Sequence, residues 1–150
     1  MFRGNNPAKV DDKGRLKIPS GFKALIDAAN VTQFYITSSD GKSAEIWPLP
    51  EWEKKERKLA LHSTANKAVQ KYLSLTSYYG QQVEMDSQAR VVLPQILRDK
   101  AKLDAEVVVL GKLVFLDVRN ENDFKQQIPD LEMTDEDNAA LDVITREVSG

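Results

Sequence analysis

Asp11-Asp12-Lys13-Gly14-Arg15-Leu16-Lys17-Ile18-Pro19 returns in outline 75 positions later as Asp86-Ser87-Gln88-Ala89-Arg90-Val91-Val92-Leu93-Pro94. Each copy sets an Asp four residues before an Arg, follows the Arg with alternating apolar residues (Leu16 and Ile18; Val91 and Leu93) and closes on a Pro. One Asp-x-x-x-Arg spacing is common. Two, at matched places with matched surroundings, read as a single supersecondary unit used twice. The alternation predicts a strand after each Arg, and an Asp at the mouth of a turn predicts side-chain hydrogen bonds to the amides that follow. Gly14 can take a positive φ at the first turn, whereas the second copy has Ala89 there. Alanine is strained in that region, so the second turn is expected to take a different shape.

Working outward, the first unit enters on an extended segment through Val10, turns at Asp12-Lys13-Gly14 and returns as a strand from Arg15 to Ile18, which reads as a hairpin. A short helix from Pro19-Ser20 sets Phe22, Leu25, Ile26 and Ala29 on one face. Strands from Phe34 to Ser38 and Ala44 to Pro48 follow, joined at Asp40-Gly41. The second unit repeats the order: strand Gln81 to Met85, turn Asp86 to Ala89, strand Arg90 to Leu93, helix Pro94 to Lys102, strands Glu106 to Leu110 and Leu113 to Asp117, with Gly111-Lys112 as the tight turn. A helix follows each unit, Glu51 to Leu61 and Asn122 to Gln127, the latter capped by Asn120. A further helix from Thr64 to Tyr79, with Ala65, Val69, Tyr72, Leu73, Thr76 and Tyr79 on one face, connects the halves. From Thr134 the tail opens like a capping box with Asp137 and sets Leu141, Ile144 and Val148 on one side. The expected organisation is a first unit over 1–62, a connecting helix over 63–80, a second unit over 81–128 and an acidic, helical tail over 129–150.

Units of this size bury only about 60% of their unfolded surface, so fused halves in a larger assembly are expected. The chain has no cysteine, which excludes a disulfide framework and a thiolate metal site and points to a reducing, cytoplasmic compartment. Its apolar runs are far shorter than a membrane span, and Met1-Phe2-Arg3-Gly4 does not open a signal peptide. A net charge of -2 hides an asymmetry. Residues 1–23 hold six bases against Asp11 and Asp12, whereas residues 130–150 hold seven acids against Arg146. The head of the chain is basic and its tail acidic.

Alternation sends Arg15 and Lys17 to one face of their strand, with Leu16 and Ile18 on the other. With Lys13 at the turn, that face could contact phosphates and base edges, because a two-stranded ribbon can enter a major groove. The plain alternative is an Asp11–Arg15 ion pair that braces the turn, beside lysines that only solvate a surface; both can hold. Around Arg90 stand Gln88, Ala89 and Val92 and only one base, so the second hairpin is expected to be mainly structural, through Asp86. Trp47 and Trp52 read as packing residues. His62 lacks an acid and nucleophile in any catalytic pattern. Asp11-Asp12 and Glu84-x-Asp86 read as balanced charges rather than metal ligands. No catalytic residue, metal, cofactor or small-molecule substrate is expected, and the chain is not expected to be an enzyme.

Taken together, Met1-Phe2-Arg3-Gly4, Asp11 to Pro19, Trp47-Pro48-Leu49-Pro50-Glu51-Trp52 and the second Asp86 to Arg90 resemble the MraZ family over residues 1–128. The resemblance implies an α+β, mainly β fold of two tandem AbrB-like (MraZ-like) swapped-hairpin β-barrel units with short peripheral helices. It implies a cytoplasmic, nucleoid-associated homo-oligomeric ring that binds double-stranded DNA at direct repeats upstream of its own division and cell-wall operon, usually as a repressor. The DNA-contacting residues it implies are Lys9, Lys13, Arg15 and Lys17, with Arg3 and Arg90 added, while Asp11, Gly14 and Asp86 hold the turns. A different reading on the same fold is a protein-interaction module of the antitoxin (MazE-like) type whose C-terminal segment binds a partner. The acidic amphipathic tail speaks for it, and the second complete unit against it.

Overall fold

Alternating apolar residues form eight strands: β1 (Asn5–Lys9), β2 (Arg15–Lys17), β3 (Gln33–Thr37) and β4 (Ala44–Pro48) in the first unit, β5 (Gln81–Glu84), β6 (Arg90–Val92), β7 (Glu106–Lys112) and β8 (Phe115–Asn120) in the second. Around them lie α1 (Ser20–Ala28), α2 (Leu49–Ala60), α3 (Lys67–Tyr78), α4 (Gln95–Ala101), α5 (Glu121–Gln127) and α6 (Asp135–Val148), with a 3-10 turn at Ile128–Leu131. The computed structural model describes residues 1–62 and 65–148, with side chains through Arg146. The expected start of the connecting helix at Thr64, and the Val148 side chain, lie outside the described residues.

The strands pair across the repeat. Six form one antiparallel sheet in the order β1-β7-β8-β4-β3-β5, and β2 pairs with β6 in a separate ribbon. Exchanging each strand for its counterpart (β1 with β5, β3 with β7, β4 with β8) and reading backwards leaves that order unchanged. An approximate two-fold axis therefore passes between β4 and β8, where Glu45 faces Asp117, and through the ribbon, where Leu16 faces Val91.

The expected hairpin is thus split. Its turn closes, with the Asp11 amide donating to the Arg15 carbonyl at 3.0 Å, and Val10 bridges Leu16. Beyond that the arms diverge, β1 to β7 and β2 to β6, because each finds a buried apolar partner there: Val107 and Val109 on β7, Val91 on β6. This is the swapped-hairpin arrangement in an α+β fold. The expected barrels, however, are not closed, since the sheet ends on β1 and β5, which do not pair with each other.

One core serves both units. Leu16, Ile18, Val91 and Leu93 from the ribbon meet Phe34, Ile36, Ile46, Val107, Val109, Leu116 and Val118 from the sheet, with Phe22, Ile26 and Leu97 from the helices. Leu25, expected on the buried face of α1, is 43% exposed. A second correction concerns Gly111. β7 continues through Gly111 and Lys112, and the turn falls at Leu113-Val114. Glycine is needed at 111 for another reason: its amide donates to Gly4 at 2.8 Å, and a Cβ there would stand 2.4 Å from the Arg3 backbone nitrogen.

On the outer side of β3, Trp52 of α2 stacks on Tyr35 at 4.8 Å and tilts against Tyr72 of α3 at 6.4 Å. The C-terminal end of α3 is tied down there, with Tyr35 Oη and Thr37 Oγ1 both donating to the Thr76 carbonyl, at 2.9 and 2.7 Å. On the outer side of β7, a groove of about 360 Å³ lies open between β1, β7 and α5.

Candidate nucleic-acid interface

The ribbon is built from the two repeated motifs. Pairing of Arg15 with Val92, Leu16 with Val91 and Lys17 with Arg90 places Arg15, Lys17, Arg90 and Val92 on one face. Leu16 and Val91 are fully buried on the other. Residues 75 positions apart in sequence thus share one small basic surface. Carbonyls of the turns extend the pairing, Gly14 accepting from the Leu93 amide at 2.9 Å and Ala89 from the Ile18 amide at 2.8 Å.

Each turn is locked by its Asp. Asp11 Oδ1 accepts from the amides of Lys13 (3.0 Å) and Arg15 (2.8 Å), while Oδ2 holds the Arg15 guanidinium at Nε, 2.7 Å. Asp86 repeats this, accepting from Gln88 and Arg90 amides at 2.9 Å and from Arg90 Nε at 2.8 Å. The Arg15 amide bond, helped by its guanidinium, holds the Asp11 carboxyl below its ordinary 3.8; the Arg90 amide does the same for Asp86. Each ion pair keeps its arginine standing on the exposed side of the ribbon.

The second turn has the same shape as the first, contrary to the expectation drawn from its alanine. Ala89 takes φ 61° and Gly14 φ 79°, and both turns close with the same hydrogen bonds. The difference is what lies above them. A Cβ at Gly14 would stand 2.3 Å from Arg98 Cζ. Arg98, from α4 in the other unit, donates from Nε to the Leu93 carbonyl at 3.1 Å and from Nη2 to Gln95 Oε1 at 2.6 Å. Its counterpart, four residues after Pro19 as Arg98 is after Pro94, is Lys23, which pairs with Asp27 on its own helix. Arg98 thus joins the first turn, a residue the sequence reading missed. The one available signal was that matched basic residue four places after each proline.

Lys13 sits exposed at the first turn. Lys9 and Arg3 are exposed but stand off the ribbon, at or just beyond opposite ends of β1: Lys9 opposite Glu106 and beside Glu121, Arg3 against the β7–β8 turn. Trp47 and Trp52 are buried, 6% and 3% exposed, and pack edge to face at 5.3 Å. Among the described residues no three His, Cys, Asp or Glu side chains gather as a metal site, and no helix is long and apolar enough to cross a membrane.

Comparison with known proteins adds a family. A family model described as "MraZ protein, putative antitoxin-like" matches residues 1–73 and 80–144. The chain is similar to the transcriptional regulator MraZ of Acidobacterium capsulatum, 55% identical over 141 residues that cover 94% of this chain and 97% of that protein. The protein of the same name in Koribacter versatilis is 47% identical over 142 residues, with the same coverage. That of Thiobacillus denitrificans is 33% identical over 128 residues, covering 85% of this chain and 86% of its own.

Proposed function

The chain belongs to the MraZ family, and from that premise we propose that it is a sequence-specific, DNA-binding transcriptional regulator without enzymatic activity. It acts as a ring-shaped homo-oligomer on direct repeats in double-stranded DNA upstream of its own operon, and represses that operon, which encodes division and cell-wall functions. The observation that supports this reading best is the ribbon face: Arg15, Lys17 and Arg90 side by side over a buried apolar underside, each arginine braced by an aspartate.

Arg15 and Arg90 offer guanidinium forks for guanine edges, and Val92, 47% exposed between them, offers an apolar contact for a thymine methyl. Lys13 and Lys17 take phosphates. Lys9 and Arg3 serve as flanking phosphate contacts from the β1 side, and Asp11, Gly14 and Asp86 keep the turns in shape. A ribbon three residue pairs long makes few contacts alone, so linked copies on tandem sites supply the affinity, a gain of ~10²–10⁴.

Fluorescence anisotropy tests this, with a labelled duplex from the gene's own upstream region against a scrambled duplex, across a salt series. The upstream duplex should bind more tightly, and log affinity should fall with log salt by about 0.9 for each phosphate neutralised. Equal binding to both duplexes removes sequence specificity. No binding to either removes the DNA reading.

A further inference from the structure

We infer that the groove between β1, β7 and α5 is the seat of α6 from a second copy of this chain. The approximate two-fold axis carries the argument. It relates β3 to β7, so that Tyr35, paired with Gln82, corresponds to Val108, paired with Pro7. It relates α2 to α5, so that Trp52, four residues after the end of β4, corresponds to Phe124, four residues after the end of β8. In the first unit the stack on the outer face has a third member, Tyr72 of α3. In the second unit Val108 and Phe124 line an open groove with Leu110, Pro7 and Ile128.

The displacement in sequence that carries Trp52 onto Phe124 also carries Tyr72 onto Ile144 and Val69 onto Leu141. α6 is therefore the counterpart of α3, and its apolar stripe is the missing layer. Like α3, it is a capped helix: Asn66 accepts from the Ala68 and Val69 amides, while Thr134 and Asp137 exchange side-chain and backbone bonds at 3.1 and 3.0 Å. Yet α6 does not lie in its own groove. Every described side chain from Ile128 to Arg146 is exposed, Leu141 at 47% and Ile144 at 56%. The turn at Ile128–Leu131, with Ile128 on the groove's lip, leads the helix away. Each chain thus presents one open seat and one unseated helix, and a neighbouring copy satisfies both. Exchange of an identical element between copies costs little, because the contact formed is the one the fold already contains on its other side.

The absence of cysteine makes introduced thiols unambiguous. Two differently tagged chains, one carrying Val108→Cys and the other Ile144→Cys, are co-expressed, oxidised and run on a non-reducing gel. A covalent pair of unlike chains is expected, far above the yield from Val108→Cys with Leu61→Cys, and Leu141→Asp in the helix-donating chain should abolish it. Equal yield from the Leu61 control, or no unlike pair, overturns the proposal. A third sample, one chain carrying both Val108→Cys and Ile144→Cys, also overturns it if that chain closes onto itself as a monomer while the unlike pair does not form, because the occupant is then the chain's own helix. The readout involves no DNA, so it stands or falls apart from the DNA-binding reading.

Discussion

Gly14 and Ala89 hold the same place in two turns of the same shape, and Arg98 over the first of them decides which tolerates a side chain. Gly14→Ala is expected to destabilise by about 1 kcal/mol or more, since it adds a collision to a positive φ. Ala89→Gly should change stability much less. The collision part should vanish in an Arg98→Ala background, which equilibrium urea unfolding of the four-member cycle will measure as a coupling. The two aspartate locks have a pH signature. Their carboxyls titrate lower in the folded chain than in the unfolded one, so their stabilisation is complete above the unfolded value near 3.8 and is lost as pH falls through the lowered folded value. Asp11→Asn with Asp86→Asn should therefore flatten the fall in urea midpoint below pH 4. Parallel curves for parent and variant would mean that the locks contribute nothing to acid sensitivity.

At the scale of the element, the ribbon makes the two repeats one surface. Arg15→Ala is expected to weaken binding to the upstream duplex by ~1–3 kcal/mol per site while circular dichroism is unchanged. Because Arg90 stands opposite Lys17 on that face, Arg90→Ala should weaken it comparably at matched oligomer mass, in place of the mainly structural role its neighbours in sequence suggest. An affinity loss for Arg15→Ala alone would restore the inequality of the two turns. Lys13→Ala should instead lower the salt slope by about one per site. The aspartate locks and the capping box were legible in the sequence because they depend on residues two to four apart. The partners of β1 and β2 were not, because strand pairing joins distant residues and leaves no local mark. Gly111 was misread as a turn for the same reason: its need for a bare Cα is set by Arg3, at the far end of the sequence.

At the scale of the whole molecule, the chain leaves apolar side chains of α6 exposed, Leu141, Val143 and Ile144 among them. Light scattering is expected to give a mass several times 16.9 kDa. A monodisperse monomer at micromolar concentration would leave those side chains in water and remove the avidity on which the regulatory reading depends. The crossed strand order has a consequence during synthesis. A ribosome delivers β1 first, but its partners run from Glu106 to Leu110, and β3 and β4 likewise wait for β5 and β8. Vectorial folding of the first unit by itself is therefore denied to this chain: apart from the local β3–β4 hairpin its nascent strands carry unpaired edges until nearly the last strand has emerged, and closure is slow because the β1–β7, β2–β6, β3–β5 and β4–β8 pairings must each gather a long loop. An unpaired edge that persists on a ribosome-bound chain is free to pair with that of a neighbour on the same messenger, so sparser translation is expected to raise the yield of correctly paired chains.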